Sequence, residues 1–450
     1  MAKQATARYG SWKSPITSDL IISETVGLNQ PSIDGEAIYW IEMRPSEGGR
    51  NVIAHRTPAG ATSDVNPAPF NARTRVHEYG GGDYIAHGGA VYFSNFADQQ
   101  IYLQMGAEAP RPITAADGMR YADYLFDPHR NRLITVREDH SNAGSEQLNT
   151  IVSLKLSEVA QSGGQVLVSG NDFYSSPRLS PDGSRLAWLT WHHPNMPWDG
   201  SELWLGDLGP DGTLGATRCI AGGLGESIFQ PEWSPDGLIY FVSDRKGWWN
   251  LYRLNAAGVA ECVCEKQAEF GMPQWVFGMS SYAFVSSDQI VCNYIERGIG
   301  NLALLDTRTG DLARVDGPYT DIQYLRASPG QVVFRGGSLA SPSAIVRLDL
   351  ASMQFETLRL STNVEIEEGY ISQPEAVEFP TEGGLTAHGL FYAPKNRDYV
   401  APEGERPPLL VKSHGGPTSA ASAAMSLIIQ YLTSRGFAVL DVNYGGSTGY

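Results

Sequence analysis

Pro408-Leu409-Leu410-Val411-Lys412 runs directly into Ser413-His414-Gly415-Gly416-Pro417, and Phe437-Ala438-Val439-Leu440-Asp441-Val442 follows after a short interval. Both apolar runs have the length and composition of buried strands. The segment between them, Thr418 to Arg435, puts Ala424, Met425, Ile428, Tyr431 and Leu432 in helical register before Arg435-Gly436 ends it. Strand, loop, helix and strand make a βαβ unit, so this part of the chain predicts a parallel sheet.

The loop inside that unit carries chemistry. Two glycines allow a substrate carbonyl to approach the main chain, and a backbone N–H at Gly415 or Gly416 is placed to stabilise a developing oxyanion, worth roughly 3 kcal/mol per donor. A bare turn would also use two glycines, but a buried strand before and a helix after favour the oxyanion reading. Loops of this HGG type belong to α/β-hydrolases, whose nucleophile, acid and histidine follow in that order on later strands. His414, Pro417 and Tyr444 are expected to shape the loop rather than to react. Gly445-Gly446-Ser447-Thr448-Gly449 is a literal G-x-S-x-G match, yet an elbow serine needs a helix directly after it and its partners downstream. All nine histidines precede Ser447. Ser447 therefore reads as a structural loop residue. No catalytic residue is expected within the 450, and the nucleophile, Asp and His are expected after Tyr450.

Composition bounds the remainder. A chain of 450 residues with 42% hydrophobic residues has enough material for two or three cores. Its 33 basic and 49 acidic residues leave a net charge of −16, which argues against a nucleic-acid or anionic-membrane surface. The first residues carry no apolar secretion signal, no apolar run approaches membrane-spanning length, and four cysteines make no disulfide framework, so a cytoplasmic protein is expected. Cys262 and Cys264 lack the second pair or histidines of a metal site, and neither metal nor cofactor is expected.

From about residue 30 to 360 the chain repeats. Apolar runs marked by Ile38, Val91, Leu133, Leu186, Ile239, Ile290 and Val332 recur every 42 to 53 residues, each followed by a second strand such as Glu202 to Leu208 or Asn250 to Leu254. A period near 50 built of short strands predicts a propeller, and seven markers predict seven blades. Ser180-Pro181-Asp182-Gly183 and Ser234-Pro235-Asp236-Gly237 repeat one tight turn, so their aspartates are structural. Trp248 and Trp249 are expected to pack within a blade. The predicted fold class is mainly β plus α/β: a seven-bladed β-propeller over 25–360, then the beginning of an α/β-hydrolase domain over 361–450.

HGGP, a helix, and then Gly436 to Tyr450 resemble the opening of the catalytic domain of the prolyl oligopeptidase family, in particular its acylaminoacyl-peptidase-like or dipeptidyl-peptidase-like branch. Tyr9-Gly10-Ser11-Trp12-Lys13-Ser14-Pro15-Ile16, Arg44 to Asn51 and Arg73-Thr74-Arg75-Val76-His77-Glu78-Tyr79-Gly80-Gly81-Gly82 resemble the same branch. The resemblance covers the whole chain. It implies a propeller joined to a hydrolase domain, with segment 1–24 packed on the latter. It also implies a serine exo- or oligopeptidase cleaving short peptides through a Ser-Asp-His triad, the propeller limiting access. Glu78 then becomes a candidate partner for a free substrate amino terminus, and Arg75 for a carboxylate or carbonyl; a surface ion pair is the competing fate of both. A homo-oligomer is compatible with this reading. The alternatives are a non-catalytic propeller that binds its partner, and an esterase of the same fold.

Overall fold

A computed structural model describes residues 4–22, 25–115, 118–142, 144, 146–157, 163–416 and 418–450. Among them are seven consecutive four-stranded antiparallel sheets, each built from strands adjacent in sequence. They span 27–64, 84–112, 119–168, 173–222, 228–264, 282–314 and 321–360. All seven marker residues of the repeat lie on the second strand of their sheet, and each of these strands pairs with the third as the sequence predicts.

These strands read as unbroken apolar runs because both faces are covered. Val91 and Phe93 pack toward the first sheet with Tyr39 and Ile41, while Tyr92 between them packs toward the third with Tyr121 and Leu133. The same division places an apolar core between every consecutive pair of sheets. A further core joins the seventh sheet to the first, through Val333 and Ile345 against Leu28, Ile38 and Trp40. A cavity of about 470 Å³ is lined by residues from all seven sheets, Gln30, Asp123, Arg178 and Arg326 among them. The arrangement is consistent with the propeller predicted from the repeat.

One feature of the innermost strands has no signature in the sequence. Gln30, Asp123, Ser176, Gln230 and Tyr324 each occupy the left-handed region, with φ between 47° and 58°, at a break in strand register. Such a bulge re-aims a side chain. Here it reaches the next sheet: Gln30 donates to Asp83 at 2.5 Å, Asp123 accepts from the Ser176 N–H at 2.6 Å, and Gln230 accepts from the Ser281 N–H at 2.7 Å. The repeated turns behave as expected, with Gly183 and Gly237 at φ of 71° and 86°. Asp182 is held down to about 2 by hydrogen bonds from Ser180 and Ser184. Trp249 is buried in the core between the fifth and sixth sheets.

Beyond residue 360 an eighth sheet takes the order Pro374–Pro380, Thr386–Tyr392, Ala438–Asn443, Leu409–Ser413. The last two strands are parallel, as the βαβ reading requires. Two expectations need correction. The helix covers only Leu427–Thr433, capped by the Ser426 side chain, and not Thr418 to Arg435. Residues 421–425 are drawn instead into bonds with other elements: the Ala421 N–H donates to Asn443, the Thr320 hydroxyl to the Ala423 carbonyl, and the Met425 N–H to the Ser338 carbonyl. Tertiary bonds outweigh helix propensity there. Secondly, Leu409–Ser413 is not buried. It is the sheet's edge, and Leu409, Leu410 and Val411 are 52%, 40% and 64% exposed, because no described residue covers them.

The N-terminal segment runs along this sheet's flank. Ala5–Thr6 pairs in parallel with Tyr399–Val400, and the Asn396 side chain donates to the carbonyls of Lys13 and Ser434. The Ser14 and Ser434 hydroxyls are 2.7 Å apart.

Candidate active site

The loop after Leu409–Ser413 stands against the seven-sheet unit. Gly416 has a φ of 66°, and a β-carbon there would come within 3.2 Å of the Trp275 ring. Trp275 lies between the fifth and sixth sheets, and its indole N–H donates to the Thr418 carbonyl at 3.0 Å. Gly415 faces open space: a methyl group added to its α-carbon would meet no described atom within 4 Å. Neither the Gly415 nor the Gly416 N–H is engaged by an acceptor among the described residues. Two exposed backbone donors thus sit at a glycine turn beside an aromatic wall, which is the chemistry an oxyanion requires.

Three side chains brace the loop. The Tyr444 ring stacks on His414 with centroids 4.4 Å apart, and its hydroxyl donates to the Gly416 carbonyl. His414 Nε2 lies 2.7 Å from Ser447 Oγ, while its Nδ1 is 3.3 Å from the Tyr444 hydroxyl. The structure therefore brings together His414, Gly415, Gly416 and Tyr444 and adds Ser447 to them. Pro417 lies outside the described residues. Behind the loop, Lys412 pairs with the buried Asp441 at 2.5 Å, tying the edge strand to its neighbour.

Glu78 and Arg75 lie across Trp275 from the loop. Glu78 is 70% exposed and pairs with Arg120 at 3.2 Å and Arg75 at 3.8 Å, the surface cluster weighed for these residues. Tyr79, next to it, meets the Trp275 ring edge to face at 5.8 Å. Glu78, Tyr79 and Trp275 share a cavity of about 280 Å³. Trp275 itself has no sequence motif that would single it out.

No family model matches the chain. Solved structures do. A Mycobacterium tuberculosis puromycin-hydrolyzing peptidase superposes with a TM-score of 0.93 at 36% identity, covering 99% of this chain and 70% of that one. A puromycin hydrolase variant complexed with PGG matches with a TM-score of 0.93 at 35% identity over the same shares. The chain belongs to the prolyl oligopeptidase family. Prolyl oligopeptidase B from Galerina marginata shares the fold at 13% identity, with a TM-score of 0.70 over 96% of this chain and 63% of that one. Among curated proteins, the acylamino-acid-releasing enzyme of Sus scrofa is 38% identical over 80 residues, 18% of this chain and 10% of that relative. The match thus spans about a tenth of that relative's length. The family is the one that the sequence resembles.

Proposed function

We propose that the chain supplies the propeller and the oxyanion-hole portion of a serine peptidase acting on short peptides. The seven sheets are the blades of a closed propeller over 25–360. Residues 361–450 open an α/β-hydrolase domain, and the described residues of the 1–24 segment pack on it. The observation that carries this reading is the unengaged pair of N–H groups at Gly415 and Gly416, held against Trp275 and braced by Tyr444 and His414. As the substrate carbonyl becomes tetrahedral, its oxygen takes the negative charge, and fixed backbone dipoles stabilise that charge without reorganising.

The attacking hydroxyl comes from a serine other than Ser447. A hydroxyl needs a base that is itself oriented by a third group, and the Nδ1 of His414 lies 3.3 Å from the Tyr444 hydroxyl and from the Gly415 carbonyl, not beside a carboxylate among the described residues. A Ser-Asp-His triad from outside the 450 residues would attack the carbonyl, form the acyl-enzyme as the amine leaves, and release the acid with water. Glu78 is suited to a substrate ammonium, and Arg75 holds Glu78 in place. The propeller restricts entry to short peptides.

The 450-residue chain, with no Ser-His-acid constellation among its described residues, would act by itself as a binding unit. Hydrolysis of free and N-acylated peptidyl chromogenic amides, compared between this chain and one extended to the length of its solved relatives, tests the reading. Turnover only in the extended chain is expected. Cleavage of esters without amides would move it to an esterase.

A further inference from the structure

The cavity of about 470 Å³ that all seven sheets line is walled by their innermost strands. It shares no lining residue with the cavity beside Trp275. A backbone crossing divides the two. Gly80 and Phe277 line the cavity beside Trp275, Gly82 and Gly278 line this one, and Gly81 forms a bridge with Phe277, whose N–H donates to the Gly80 carbonyl at 2.9 Å. A β-carbon on Gly82 would come within 3.0 Å of Phe277 and 2.8 Å of the Asp123 nitrogen, so the crossing is packed closed.

Among the described residues four charged side chains line the cavity: Asp123, Arg178, Glu232 and Arg326. Three of them answer one another. Arg178 Nε donates to Glu232 at 3.0 Å and its guanidinium lies 3.8 Å from Asp123, which also accepts from the Ser176 N–H at 2.6 Å. Arg326 has no carboxylate within 4 Å among the described residues; it donates to the carbonyls of Gly278 at 2.7 Å and Leu325 at 3.1 Å, and to the Ser280 hydroxyl. Burial pulls its guanidinium down from the ordinary value, against an opposing pull from Glu232, and at pH 7 it stays protonated. A buried cation with no direct counter-ion calls for an anion. Two donors are left for one: Arg326 Nε and Arg178 Nη2 meet no acceptor among the described residues, and both remain accessible. Glu232 keeps a second oxygen, but a cation placed there would face both guanidiniums.

The hydroxyls around the cavity are already used within the fold, Tyr84 donating to the Gln30 carbonyl at 2.7 Å and Tyr282 to the Gln230 carbonyl at 2.8 Å. The rings of Tyr84, Tyr124, Trp233 and Phe284 line much of the remaining wall. The volume is more than an inorganic ion needs and lies in the range of small-molecule sites.

We infer that this central cavity binds a small organic anion, its carboxylate or phosphate held by Arg326 and Arg178 and its apolar part covered by the rings. Both anions match the planar donor geometry of a guanidinium. The test is calorimetric titration of the 450-residue chain, at fixed ionic strength, with benzoate, phenyl phosphate, uncharged benzamide and benzylammonium. Benzoate or phenyl phosphate should bind at least about tenfold more tightly than benzamide, the gain expected from a hydrogen bond to a charged group. The tighter of the two tells a carboxylate ligand from a phosphate one. Arg326→Gln should weaken that anion by about tenfold or more. Glu232→Gln, which removes a negative charge and leaves Arg178 unpaired, should tighten it several-fold. If Arg326→Gln fails to fold, the comparison of the four probes and Glu232→Gln still decide. Anions that bind no better than benzamide, tightest binding of benzylammonium, an unaltered Arg326→Gln variant, or a Glu232→Gln variant that fails to tighten would each overturn the assignment. None of these would touch the peptidase reading, which stands or falls on hydrolysis by the extended chain.

Discussion

His414 Nε2 and Ser447 Oγ lie 2.7 Å apart, the separation of a base and its nucleophile, and the proposed function reads the pair as a brace rather than a reactive dyad. The imidazole stacks on Tyr444, whose hydroxyl is bound to the Gly416 carbonyl. Both contacts fix the Gly415–Gly416 loop.

In a chain extended to the length of the solved relatives, Gly416→Val should lower kcat by about a hundredfold or more, the cost of losing an oxyanion donor. The new side chain meets Trp275 and demands a left-handed conformation that valine resists. Ser447→Ala in the same protein should change kcat by no more than a few-fold. Steady-state kinetics on one peptidyl amide compares the two.

The seventh and first sheets are joined by ion pairs of very different burial. Glu42 is 3% exposed and accepts from Arg359 at 2.8 Å, Arg44 at 3.0 Å and the Trp40 indole at 3.2 Å. Glu356 spans the same junction to Arg56 at 3.0 Å but is 41% exposed. Glu42→Ala strands the buried Trp40 indole N–H and leaves the half-buried Arg44 and Arg359 without this carboxylate, and should cost about 2 to 4 kcal/mol in urea unfolding. Glu356→Ala should cost less than about 1 kcal/mol.

His77 gives the fold an acid-sensitive element. Its folded-state value of about 3 lies below the ordinary 6.5, so the unfolded chain takes up the proton first as the pH falls. The contribution is complete above about pH 6.5 and is lost progressively toward pH 3. His77→Gln should flatten the stability profile across that window, measured by denaturant unfolding at pH 7, 5 and 4.

Leu409, Leu410 and Val411 form an exposed apolar edge, with no further strand paired to it among the described residues. The 450-residue chain should bind a hydrophobic dye and self-associate with rising concentration. Val411→Lys should reduce the light scattering without shifting the unfolding midpoint. A monodisperse wild-type chain with no dye binding would contradict this.

Much of this architecture was legible in the sequence, for physical reasons that also mark where legibility stopped. The strands of Ile38, Val91 and their counterparts announce themselves because both of their faces are buried, which forces unbroken apolar runs at a fixed period. The left-handed bulges do not, since Gln30, Asp123, Ser176, Gln230 and Tyr324 are of four different residue types and none is glycine. Ala421 to Met425 carry a helical pattern, but their backbone is claimed by Thr320, Ser338 and Asn443, contacts that no local window contains. The HGG loop and Tyr444 could be read because they are close in sequence. The cavity beside Trp275 could not, because His77, Glu138, Trp191 and Trp275 come together only through the fold.

The central claim is that Gly415 and Gly416 serve a nucleophile other than Ser447. Its most direct test is mass-spectrometric mapping of a fluorophosphonate probe on the 450-residue chain, under conditions that label a serine peptidase to completion. An unactivated hydroxyl is a poor nucleophile, so no adduct is predicted on Ser447. A stoichiometric adduct on Ser447 would contradict the account and make the His414–Ser447 pair the reactive centre.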